Sequence, residues 1–145
     1  MRALTVKPGD AHSLRLESRP EPEPDDGELL VETLAVGICG TDREIEAGLY
    51  GAAPAGQHRL VIGHESLGRV LHAPKGSGFA AGEHVVGIVR RPDPVPCPAC
   101  AAGFFDMCFN DRYTERGIKK LDGYAAARFC VEADYAIKVG RELGI

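Results

Sequence analysis

The hydrophobic positions of this chain fall in short runs that end at glycine or proline. Residues 1–6 read as a first strand, stopped by Pro8 and Gly9. In residues 14–18, Leu14 and Leu16 alternate with Arg15 and Glu17, the period of two that predicts a half-buried second strand. Residues 19–27 hold three prolines and several acids and predict a surface loop. The clearest strand spans residues 28–37, with Leu29, Leu30, Val31, Leu34 and Val36. Residues 41–49 predict a short helix capped by Asp42 or Thr41. The small, glycine-rich stretch over 48–59 predicts a mobile loop. Residues 60–71 carry Gly63-His64-Glu65 into another strand, and 79–87 form a turn entering a strand. Irregular backbone is expected over 92–112, and closing strands over 124–131 and 135–139. Many short strands with one or two helical turns predict a barrel-like β domain.

Composition narrows the picture. A length of 145 residues fits one domain, and 18 glycines with 10 prolines favour turns over long helices. A formal net charge of -4 lacks the basic stripe that nucleic acid requires. No apolar run approaches the ~20 residues of a membrane span. Residues 1–6 lack the apolar core and cleavage site of a signal peptide, which predicts a cytoplasmic protein. Five cysteines in that setting point to metal or chemistry before disulfides.

Two short segments concentrate the chemistry. Gly37-Ile38-Cys39-Gly40-Thr41-Asp42 and Gly63-His64-Glu65 together supply a thiol, an imidazole and a carboxylate. Those three ligand types bind Zn²⁺ in catalytic sites, where three protein ligands leave one position open. Thr41, two residues from the thiol, is a candidate to pass a proton from the reacting alcohol. Further on, Cys97-Pro98-Ala99-Cys100 is a C-x-x-C followed by Cys108. In a loop with little core of its own, that spacing predicts a structural metal lobe. A thioredoxin-like reading is weaker, because Pro94, Pro96 and Pro98 oppose the regular helix it needs. Three sulfurs are one short of a tetrahedron, and Asp93 is the candidate fourth ligand. Cys130, among Ala126, Ala127, Phe129 and Val131, is expected to pack in the core.

These segments, with Gly82-Glu83-His84-Val85, resemble the zinc-dependent medium-chain alcohol dehydrogenases. The match runs over nearly the whole chain in the same order. It implies a mainly β, GroES-like, partly open barrel with short helices and an irregular cysteine lobe. It also implies catalytic zinc on Cys39 and His64, with Glu65 a ligand or an adjacent, exchanging carboxylate, and Thr41 bonded to the reacting hydroxyl. Val89-Arg90-Arg91-Pro92 and Tyr113-Thr114-Glu115-Arg116-Gly117-Ile118-Lys119 resemble the glucose dehydrogenase branch, which makes Glu115 a sugar-hydroxyl contact.

Two departures from that family stand out. Its lobe usually has four cysteines, and Pro94 stands where the first belongs. The lobe metal is then completed by Asp93, held by three sulfurs and water, or absent. Second, no G-x-G-x-x-G follows a strand, so the Rossmann domain for NAD or NADP lies outside residues 1–145. The expectation is an N-terminal catalytic domain, with its lobe at 92–112, of a homo-oligomeric aldose dehydrogenase that oxidises a C1 hydroxyl to a lactone. Its partners would be a small sugar or alcohol, with no nucleic acid and no membrane. The rivals are an alcohol, polyol or threonine dehydrogenase of the same chemistry, and a non-catalytic zinc-binding interaction module.

Overall fold

The computed structural model describes residues 1–140. From the N-terminus, β1 (Arg2–Val6) and β2 (Arg15–Ser18) pair antiparallel, with Leu4 opposite Leu16. Then come β3 (Glu28–Gly37), α1 (Gly40–Glu46), β4 (Leu60–Val61), β5 (Glu65–His72), β6 (His84–Gly87) and β7 (Arg90–Arg91). A lobe follows with α2 (Pro98–Ala101) and a 3₁₀ turn at Phe105–Met107. The last strands are β8 (Thr114–Arg116), β9 (Lys120–Leu121), β10 (Arg128–Glu132) and β11 (Ala136–Val139). They form three sheets ordered β2-β1-β4, β10-β3-β5-β6-β11 and β7-β8-β9. The fold is mainly β as expected, and its sheets are open.

Burial explains the arrangement. Leu29, Val31, Val70, Val85, Tyr124, Phe129 and Val131 form one core under the five-stranded sheet. The Tyr124 ring meets Phe129 edge-on at 4.6 Å, and its hydroxyl donates to the Ile88 carbonyl at 3.0 Å, so the buried phenol is satisfied. A second core of Val6, Ile45, Leu60, Ile62 and Ile118 joins the first sheet to α1 and to the turn after β8.

Several elements differ from the sequence expectation. The strand expected over 60–71 breaks at Gly63, whose φ is +87, and its halves enter different sheets. The helix begins at Gly40 with Cys39 as its N-cap; Asp42 sits at its third position. The strand expected from Tyr124 begins only at Arg128. Residues 123–125 instead donate their N–H groups to the carbonyls of Val61, Gly63 and Ile62. The loop over 48–59 is tied down: Ala52 bridges Lys119, and Arg59 is buried on Thr5 and the Ser13 carbonyl. Pro98 does not prevent a helical turn, because it occupies the first turn, where the missing N–H costs nothing. Cys130 lies on the face of β10 opposite to Phe129 and Val131, half-buried, and burial pushes its thiol up to about 11. Among the described residues no helix is long and apolar enough to cross a membrane.

An ionic knot joins the small sheet to the large one. Arg91 grips Glu132 at 3.0 and 2.6 Å, and Arg116 approaches the same carboxylate at 3.4 Å. Burial alone would raise the Glu132 carboxyl, but the Arg91 hydrogen bonds, its own backbone N–H and the charges of Arg91 and Arg116 outweigh it and hold it at about 2 against an ordinary 4.5. A depressed carboxylate contributes stability above its unfolded pKa and loses it as pH falls through the folded value. Wild type should therefore be more stable than Glu132→Gln at neutral pH, with the difference shrinking below 4.5 and gone near 2. The side chain is 40% exposed, so screening limits the difference to about 1 kcal/mol. Urea unfolding of both proteins across that pH range checks this.

Candidate metal centre and cysteine lobe

Local backbone places the first site. β3 ends at Gly37, directly opposite Glu65 at the start of β5. A side chain at Gly37 would overlap the Glu65 carboxylate, so glycine gives that side chain its room. Two residues on, Cys39 caps α1, and the Asp42 carboxylate reaches back to accept the Cys39 N–H at 2.9 Å. This is the reciprocal half of a capping box. Just before β5, the turn at Gly63 delivers His64. The Cys39 sulfur and His64 Nε2 are 3.2 Å apart, and Glu65 Oε1 is 4.0 Å from the same nitrogen. Ligand atoms of Cys39, His64 and Glu65 all lie within 4.8 Å of one another. Zinc bonds of about 2.3 Å to sulfur and about 2.0–2.1 Å to nitrogen place two ligands of one ion roughly 3.5 Å apart.

A residue that the motif reading did not assign to the site completes it. Asp42 is 3% exposed, and its Oδ1 lies 3.5 Å from His64 Nδ1. Both atoms are buried without a formed hydrogen bond. A ligating imidazole characteristically gives its other N–H to a carboxylate, which fixes its tautomer and orientation. The orphaned pair has that arrangement, and a sulfur, nitrogen and oxygen donor set suits zinc. The residues therefore fit the ion. Thr41 occupies the first turn of α1, half-buried, and no described hydrogen bond uses its hydroxyl. An open recess of about 390 Å³ borders His64 and Glu65, lined also by Ala35, Leu67 and Val86.

The lobe holds the second group. The sulfurs of Cys97, Cys100 and Cys108 lie within 4.8 Å of one another, with Cys97 and Cys100 at 3.6 Å. Backbone N–H groups of Cys100 and Phe109 draw the Cys97 thiol down to about 7. Burial and the neighbouring sulfurs push Cys100 up. The Asp93 carboxylate is not part of this group, which corrects the expected fourth ligand. It accepts from the Val95 N–H at 2.8 Å, Asn110 at 2.8 Å and Arg112 at 3.1 Å. Asp93 anchors the lobe and offers Cys100 its backbone N–H.

The Glu115 side chain is buried. Its partner is Arg90, opposite it in the β7–β8 register, which donates from Nε at 3.0 Å and from Nη2 at 2.7 Å. The strand then turns at Gly117, whose backbone lies directly on that of Gly63, one residue before His64.

The alcohol dehydrogenase GroES-like domain family matches residues 25–141. The chain is 44% identical over 144 residues to the glucose 1-dehydrogenases of Methanocella arvoryzae and Thermoproteus tenax, covering 99% of itself and 40% of each relative. Haloferax mediterranei glucose dehydrogenase, solved in complex with NADP, Zn and gluconolactone, superposes with a TM-score of 0.86 at 37% identity, over 98% of this chain and 40% of that one. A thermostable alcohol dehydrogenase from Pyrobaculum aerophilum gives 0.80 at 28% identity, over 99% and 42%. The chain thus spans about 40% of the length of the curated relatives it matches.

Proposed function

Because this chain belongs to the alcohol dehydrogenase GroES-like domain family, we propose that it is the catalytic domain of a zinc-dependent, NAD(P)-dependent aldose dehydrogenase that oxidises the C1 hydroxyl of glucose or a related sugar to a lactone. The observation that carries this reading is the Cys39–His64 pair at 3.2 Å with buried Asp42 behind it. The similarity to a glucose dehydrogenase solved with NADP, Zn and gluconolactone supports the substrate class. A cofactor domain outside these residues, a homo-oligomeric assembly and a cytoplasmic setting belong to the same proposal. So does a structural zinc on Cys97, Cys100 and Cys108.

Each residue has a separate task. Cys39 and His64 hold the catalytic zinc, with Glu65 as third or exchanging ligand. When bound, zinc supplies Lewis acidity toward the sugar hydroxyl, and the nicotinamide supplies the hydride acceptor. With the metal bound, Asp42 Oδ1 would accept a hydrogen bond from His64 Nδ1–H and leave Nε2 for the metal. The Thr41 hydroxyl would accept a hydrogen bond from the reacting sugar hydroxyl and, as it takes that proton, release its own to solvent. Both Arg90 donors fall on Glu115 Oε1, so Oε2 is left to accept from a second sugar hydroxyl.

Glu115→Gln tests the substrate class in the full-length enzyme. Only a sugar offers extra hydroxyls, so aldose oxidation should suffer more than oxidation of a simple alcohol. A lost charge-assisted hydrogen bond costs about 1.5–3 kcal/mol, or roughly one to two decades in kcat/KM. Equal losses on both substrates would place Glu115 in the fold alone.

A further inference from the structure

Arg90 meets three parts of the structure at once. Its Nε and Nη2 both hold Glu115 Oε1. Its Nη1 donates to the Asp106 carbonyl at 3.1 Å, with the Asp106 carboxylate at 3.6 Å. Its guanidinium lies 4.2 Å from the centre of the Tyr113 ring, which also receives the Lys119 ammonium at 3.8 Å. Asp106 belongs to the 3₁₀ turn between Cys100 and Cys108. One planar guanidinium therefore joins the Glu115 carboxylate to the cysteine lobe.

We infer that Arg90 is the positioning residue of the sugar site, holding Glu115 for the substrate and making that hold depend on the order of the cysteine lobe. This rests on the reading of Glu115 as a sugar contact. Geometry selects arginine for the role. Nε and Nη2 converge on the one oxygen Oε1 and pin that atom, while a third donor reaches the lobe in another direction; a lysine ammonium on a flexible stem cannot do both. The ring of Tyr113 restricts the guanidinium to one plane. With both donors on Oε1, the carboxyl group is tethered at that oxygen, and Oε2 is the one left to meet a sugar hydroxyl. When the three sulfurs lose their shared metal, the turn carrying Asp106 loses its support. Arg90 then loses one of its three contacts, and Glu115 samples more orientations.

The test uses the full-length holoenzyme and the variants Arg90→Lys, Cys100→Ala and the double variant. For Arg90→Lys the aldose KM should rise about tenfold, with a smaller change in kcat and a smaller loss on a simple secondary alcohol. Cys100→Ala should raise the aldose KM in the same direction. The double variant should be no worse than the more affected single variant, because both break one chain of contacts. Amide hydrogen exchange gives a readout without substrate. Arg90→Lys should speed exchange in residues 92–112 and 113–119 together, and Cys100→Ala should do the same. Additive KM effects, equal losses on sugar and alcohol, or faster exchange confined to the lobe would each overturn the inference. A wild type with no preference for aldoses would defeat the proposed function instead, while the exchange result would still decide whether the lobe governs Glu115.

Discussion

Replacing His64 with Ala in the full-length enzyme is expected to remove one zinc and lower aldose oxidation by on the order of 10³-fold, about 4 kcal/mol of barrier. The reasoning follows the ligand geometry. His64 Nε2 faces the Cys39 sulfur at 3.2 Å, whereas Glu65 stands 4.0 Å away with a side chain 55% exposed. Without the imidazole, a thiol and a solvent-facing carboxylate remain, too few to fix the ion. Asp42→Ala should act in the same direction but less strongly, with metal affinity falling roughly 10- to 100-fold, because the ring loses only its orientation. Metal analysis should show the zinc of the cysteine lobe retained in both variants. Full metal content and full activity in His64→Ala would mean the chemistry lies elsewhere.

Gly117→Ala is expected to cost on the order of 3–5 kcal/mol of unfolding free energy, among the largest effects of a single methyl group. Gly117 has φ +70, which L side chains rarely adopt. An added Cβ would lie 2.7 Å from the Gly63 carbonyl carbon and 2.9 Å from its nitrogen, both backbone atoms that cannot rotate away. Relief requires the β8–β9 turn and the Gly63 turn to separate, which also displaces the neighbouring His64. The variant should therefore lose zinc affinity at the Cys39–His64 site along with stability. Urea unfolding and zinc titration measure the two effects. Wild-type values for both would show that this contact does not position the site.

The sequence exposes ligands far better than the residues that hold them. Cys39, His64 and Glu65, and the three lobe cysteines, stand in short motifs whose residue types state their chemistry, and the fold gathers each set. Asp42 is partly visible: Cys39-x-x-Asp42 has capping-box spacing, but nothing local shows that the same carboxylate turns toward an imidazole 22 residues further along the chain. Asp93 misled for a related reason. Its partners Asn110 and Arg112 lie 17 and 19 residues away, so its proximity to Cys97 in sequence said nothing about its direction. Arg90 and Glu115 meet through the β7–β8 register, which two-residue and three-residue strands do not announce by alternation. The split of 60–71 had a signal in Gly63, since a glycine inside a strand pattern often marks close backbone approach. Which sheet each half joins depends on partners far along the chain.

The pairing of β3 has a consequence for biosynthesis. Val31 lies between Val70 on one side and Phe129 on the other. The second partner is made about 100 residues later, which at about 5–20 residues per second leaves one edge of β3 open for roughly 5–20 s on the ribosome. During that interval the N–H and carbonyl groups along Leu29–Val31 can be matched by any extended strand that comes near. Nascent chains stalled shortly before residue 128 should thus engage chaperones or self-associate, and chains released past residue 132 should not. Because late contacts close the central sheet, translation speed over this stretch bears on yield as directly as the stability of the finished fold.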